Sequence, residues 1–149
     1  VRLLASAILR ASKPDLAVDA ARCVRGRAGA VCGACAEACP MEAVRLAPGP
    51  RIAPGCVGCG ACIAVCPVGA FHAERRTDEA IAAEVSAFAR ENGSVAFACD
   101  RHAAPPSAAV RVPCLARLTP GIVLSAIARG AREVELHRPA CESCSLARA

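Results

Sequence analysis

Residues 56–67 read CVGCGACIAVCP. Cys56, Cys59 and Cys62 are each separated by two residues, and Cys66 follows after three more, with Pro67 behind it. A chain that bends this tightly keeps three thiolates on one concave loop. Soft thiolates in that run suit an iron–sulfur cubane, and the fourth cysteine before proline is directed to a second cluster. Gly58 and Gly60 let backbone amides approach the sulfur atoms, where hydrogen bonds raise the reduction potential.

Working outward, the same pattern occurs once more upstream. Cys32–Val44 reads CGACAEACPMEAV and Cys59–Phe71 reads CGACIAVCPVGAF, with seven of thirteen positions identical at an offset of 27 residues. Cys32, Cys35 and Cys39 before Pro40 repeat the spacing, but the preceding cysteine, Cys23, stands nine positions before Cys32 instead of three. The intervening VRGRAGAV holds two glycines and two arginines and suits a looped-out excursion. Cys23 is a candidate ligand on this reading; without it, a three-iron cluster or a non-cysteine ligand takes its place. Zinc knuckles pair C-x2-C units across a longer spacer. Two four-cysteine runs ending in Cys-Pro are not that arrangement, nor a disulfide framework.

Over Ala21–Ala73 the sequence resembles bacterial-type dicluster 2[4Fe–4S] ferredoxins. The resemblance implies ligands crossed between the repeats. One cluster would take Cys23, Cys32, Cys35 and Cys66, and the other Cys56, Cys59, Cys62 and Cys39. It also implies a compact ββαβ-like, pseudo-twofold fold in which iron and sulfide replace much of an apolar core.

Beyond residue 76 the texture changes. Thr77 or Asp78 caps a helix expected to reach about Asn92, with Ile81, Val85 and Phe88 on one face and Gly93 as its stop. Strands are expected at Ser94–Ala98, Val110–Val112 and Val134–Leu136, and an apolar helix from Pro120 to Ala128. Cys99, Cys114, Cys141 and Cys144 each follow one of these strands. Strand ends meet at one edge of a small parallel sheet, so the four thiols would converge on a [2Fe–2S] cluster or a zinc ion. His102 is an alternative ligand, although a loop histidine is more often simply solvated. A redox-active Cys141/Cys144 dithiol is a further alternative, disfavoured because too little chain follows to form the helix whose N-terminus would activate it.

From Ser94 to Cys144 the sequence also resembles the delta (iron–sulfur) subunit of methyl-viologen-reducing hydrogenase, which serves heterodisulfide reductase complexes. The resemblance rests on Phe97–Cys99, on VRVPCLARLTPG at Val110–Gly121, on ARGARE at the end of the second helix and on the closing C-x2-C. It implies a [2Fe–2S] cluster passing electrons between a redox partner and a flavin subunit. The sequence departs from that pattern after Cys99, where DRH replaces a second nearby cysteine.

Composition agrees with a metal-dependent core. The 149 residues include twelve cysteines but only three Phe, no Tyr and no Trp, so aromatic packing contributes little. Thiolates persist as ligands in the reducing cytoplasm, which is the expected location. The apolar run Leu3–Leu9 is too short for a leader and reads as a helix, and no membrane span is expected. The net charge of +5 comes almost wholly from arginine, without interleaved aromatics, so nucleic acid is not an expected partner. The expected architecture is α+β: a helical segment at 1–20, a ferredoxin-like 2[4Fe–4S] domain at 21–76, and a small α/β module with a short parallel sheet at 77–149. The expected role is that of an electron-transfer subunit, itself non-catalytic, whose partners are a flavoprotein, hydrogenase or heterodisulfide-reductase-like subunit. The alternatives are a ferredoxin with a structural zinc tail and a ferredoxin-fed dithiol reductase.

Overall fold

The computed structural model describes residues 14–27, 30–138, 141, 144 and 146. Most of the helical segment expected over 1–20 lies outside them. The described end of that segment is extended: β1 (Ala17–Val18) pairs antiparallel with β4 (Phe71–His72), so the first unit begins before residue 21.

That unit is built from two short βαβ repeats in place of the ββαβ order expected. The first runs β1, α1 (Ala34–Glu37), β2 (Val44–Arg45), and the second runs β3 (Arg51–Ile52), α2 (Ala61–Val65), β4. β2 pairs antiparallel with β3, while the outermost strands β1 and β4 pair with each other. The repeats therefore interlock, each completing a ribbon with the other. Cys35, Cys39 and Cys62 belong to the buried core, alongside Leu16, Val44, Ile63 and Phe71. Phe71 is the one aromatic side chain among them.

The second unit follows the expected order closely. Thr77 caps α3 (Asp78–Asn92) by accepting from the Ala80 N–H at 3.2 Å, and Gly93 ends it at φ 65°. β5 (Ser94–Cys99), β6 (Ala109–Val112) and β7 (Glu133–His137) form a parallel sheet in the order β6-β5-β7. α4 (Pro120–Ala128) is capped by Thr119, which accepts from the Ile122 N–H at 3.2 Å, and has Pro at its first position. α3 and α4 pack on each other and on the sheet. Ile81, Val85, Val95, Phe97, Val110 and Ile122 form the dry layer between.

Asp15 and Arg76 help to fasten the units together. Asp15, just before β1, accepts from the backbone N–H groups of Glu74 at 3.1 Å and of Arg75 and Arg76 at 2.8 Å each. The Arg76 guanidinium then donates to the Arg111 carbonyl of β6 and pairs with Glu84 of α3 at 2.6 Å. Burial alone would raise the Asp15 carboxyl, but the amides of Arg76 and Arg75 and the Arg75 side chain outweigh it and hold its pKa below the ordinary 3.8. A carboxylate depressed on folding stabilises fully above its unfolded pKa and loses that contribution as pH falls through the folded value. Asp15→Asn is therefore expected to cost about 1.5–3 kcal/mol near neutrality, the scale of hydrogen bonds to a charged group. In urea denaturation the gap between variant and parent should narrow as pH is lowered from about 5 toward about 3.

Candidate metal centres

The short helices and the turns after them decide where the thiols lie. Each tight loop enters a helix of one turn, and each cysteine after that helix is fixed by a local bond. The Ala43 N–H donates to Cys39 Sγ at 3.2 Å, and the Ala70 N–H donates to Cys66 Sγ at 3.2 Å. The two bonds occupy equivalent positions in the two repeats.

Cys23, Cys32, Cys35 and Cys66 line one small cavity, with Leu46, Val68 and Phe71 among its walls. Cys39, Cys56, Cys59 and Cys62 line a second, with Leu16, Val44 and Ile52. The last cysteine of each repeat thus lies on the cavity of the other. Cys23 reaches the first cavity from the excursion between two 3-10 turns, Ala20–Arg22 and Val24–Gly26. Arg25 donates to the Cys32 carbonyl at 2.8 Å and Arg22 to the Gly69 carbonyl at 3.3 Å, which holds that loop against the cavity rim.

The chemistry of these cavities asks for a cation. Burial, followed by the charges of Cys59, Cys56 and Cys39, pushes the Cys62 thiol up to about 12. Burial also raises Cys35 and Cys56, with Cys66 and Cys32 adding to the first and Cys59 and Cys39 to the second, against opposing backbone N–H groups. Four thiolates coexist in such a cavity only when a positive core replaces their protons. Among the described residues, no three Cys, His, Asp or Glu side chains converge closely enough for a single metal ion. The thiols ring a space. Soft donors around an apolar cavity fit an iron–sulfide cube.

One comparison bears on this arrangement. Residues 30–71 match the family model described as a 4Fe-4S dicluster domain. This part of the chain is a ferredoxin-type iron–sulfur domain for electron transfer. The match takes in seven of the eight cysteines around the two cavities, and Cys23 lies ahead of it. Neither the curated proteins nor the solved structures offer a match to the chain.

The turn after Cys114 packs on this domain. Cys99 ends β5 and is buried, and Cys114 opens the 3-10 turn Leu115–Arg117 that follows β6. Burial raises the Cys114 thiol against the Ala116 N–H, and the neighbouring sulfurs that add to the rise are Cys99, Cys59 and Cys144. The Cys144 N–H donates to the Cys141 carbonyl at 3.0 Å, so these two residues share one turn. Cys99 is itself held, with the Arg101 N–H donating to its Sγ at 3.4 Å. His102 uses Nδ1 to accept from the Ala104 N–H at 3.3 Å within its own loop. His137 pairs with Glu135 at 2.7 Å.

Arg117 carries no local signal in the sequence. The turn that carries it packs on α2 of the dicluster domain. Its guanidinium bonds Asp78 at the start of α3, and its side chain is only 3% exposed. Its aliphatic stem occupies the space where a Cβ on Gly60 would lie, and Gly60 itself has φ 80°. Gly60→Ala therefore combines left-handed strain with a steric clash. The expected cost is about 1–3 kcal/mol. Gly49→Ala, with open space and no left-handed backbone, is expected to be neutral or slightly stabilising. Thermal denaturation of the two anaerobically prepared variants separates these outcomes.

Proposed function

We propose that this chain is an iron–sulfur electron-transfer subunit that relays electrons between two redox partners through three centres. The first cubane is held by Cys23, Cys32, Cys35 and Cys66, and the second by Cys39, Cys56, Cys59 and Cys62. The third centre, a [2Fe–2S] cluster, is held by Cys99, Cys114, Cys141 and Cys144. The observation that carries the reading is the pair of four-cysteine cavities, each lined also by the last cysteine of the other repeat. The turn after Cys114 packs on the helix that carries Cys62, which supports the order third centre, second cubane, first cubane.

When bound, the iron–sulfide cores supply one-electron chemistry. The chain's own residues do the rest. Amides of Ala43, Ala70 and Arg101 donate to sulfur and stabilise its negative charge. Apolar walls from Leu16, Val44, Ile52, Leu46 and Phe71 keep water from the cavities. The partners are redox proteins, namely a flavoprotein, hydrogenase or heterodisulfide-reductase-like subunit in the cytoplasm. Among the described residues no helix is long and apolar enough to cross a membrane.

Iron, zinc and labile sulfide analysis of anaerobic protein tests the inventory. The relay predicts roughly ten irons per chain, with ~8 from two cubanes and ~2 from the third centre. About eight irons with one zinc would replace the third cluster by a structural ion, and eight irons with two alkylatable thiols at Cys141 and Cys144 would favour the dithiol. Serine variants test the crossing. Cys66→Ser should disturb the cluster of the first repeat while Cys39→Ser disturbs that of the second, seen as loss or conversion of one of two reduced EPR signals. Loss of the signal belonging to the mutated repeat would contradict the assignment.

A further inference from the structure

Arg117 places a permanent positive charge at the junction of the two units, and its surroundings leave that charge only half answered. The side chain is 3% exposed. One guanidinium nitrogen, Nη2, bonds Asp78 Oδ1, while Nη1 is buried with no hydrogen-bond partner among the described residues. Asp78 is 42% exposed, so its negative charge is shared with solvent and screened. Burying a guanidinium without full partnership is costly, and a purely structural tie would gain little from it.

The position of the charge suggests what offsets that cost. Arg117 is the third residue after Cys114, and its backbone N–H donates to the Cys114 carbonyl at 2.9 Å. Its stem lies on Gly60, the residue between Cys59 and the helix that carries Cys62. With Gly58, Gly60, Ile63 and Pro113, and with Asp15 and Arg76, whose opposite charges are engaged in bonds of their own, it lines a small cavity between the units. Each electron that arrives adds one negative charge on the cysteine side of this junction. A guanidinium stays protonated throughout the physiological range, so no proton moves with the electron.

We propose that Arg117 sets the reduction potential at the junction of Cys59 and Cys114, stabilising the electron-rich state of the centre held by Cys39, Cys56, Cys59 and Cys62 over that of the more distant cavity. Asp78 opposes it as a partial counter-charge. The inference rests on the reading that these four cysteines hold a cubane, and it goes further by assigning an asymmetry between two clusters with similar ligand sequences. Net charge and bonding near the sulfurs are the levers that tune such centres.

The test is a mediated redox titration of the whole anaerobic protein with dithionite as the one-electron donor, followed by EPR. Arg117→Met keeps the stem and removes the charge, and should shift the midpoint of one cubane signal to lower potential while leaving the other unchanged. Arg117→Lys should retain most of the parental value. Asp78→Asn should move the same signal the opposite way, because it strips the counter-charge and leaves the guanidinium. A tie that is merely structural has no reason to give shifts of opposite sign. Should Arg117→Met not assemble, Asp78→Asn and Arg117→Lys decide the matter alone. Unchanged midpoints, or shifts of the same sign in Arg117→Met and Asp78→Asn, would overturn the role of Arg117 while leaving the cluster assignment standing. A parent protein without any reduced cubane signal would overturn both.

Discussion

Four buried or half-buried thiols around one cavity repel one another once ionised, and this constraint governs the first half of the molecule. Cys62, with its pKa pushed to about 12, shows how strongly the folded chain resists a thiolate there without compensation. A core of iron and sulfide held there would reverse the balance, because its positive charge would replace the protons and make the cysteines ligands. The dicluster domain has little else to hold it. Its strands are two residues long, its helices one turn, and its core holds one aromatic side chain. Metal-ligand bonds take the place that a large apolar core has in bigger domains.

The interlocked repeats follow from the same constraint. Because Cys39 and Cys66 each face the cavity of the other repeat, neither repeat completes its site alone. The pairing of β1 with β4 and of β2 with β3 carries this exchange into the backbone. The second unit is stabilised differently, by two capped helices on a parallel sheet, and the turn after its Cys114 packs on the first unit. Asp15, Arg76 and Arg117 join the two units with charged groups.

Much of this was legible in the residues. The spacing of Cys56, Cys59, Cys62 and Cys66 carries its own geometry, since a loop of that tightness has few ways to point its sulfurs. Thr77, Gly93 and Pro120 mark helix ends by local signals, and such signals survive in many tertiary contexts. What escaped depends on contacts distant in sequence. β1 is two residues long and exists because β4, more than fifty residues later, pairs with it. The grip of Asp15 on residues 74–76 and the lodging of Arg117 against Gly60 have no local pattern at all. Gly58 and Gly60 read as positions where backbone amides approach sulfur, but nothing in their sequence marks Gly60 as the seat of the Arg117 stem.

The crossing of cysteines between repeats is the central claim, and locating the iron tests it most directly. Anomalous diffraction at the iron absorption edge from anaerobically grown crystals should give two four-iron peaks. One should lie among Cys23, Cys32, Cys35 and Cys66, and the other among Cys39, Cys56, Cys59 and Cys62. Iron found with Cys32, Cys35 and Cys39 as ligands of a single cluster, and Cys66 grouped with Cys56, Cys59 and Cys62, would contradict it.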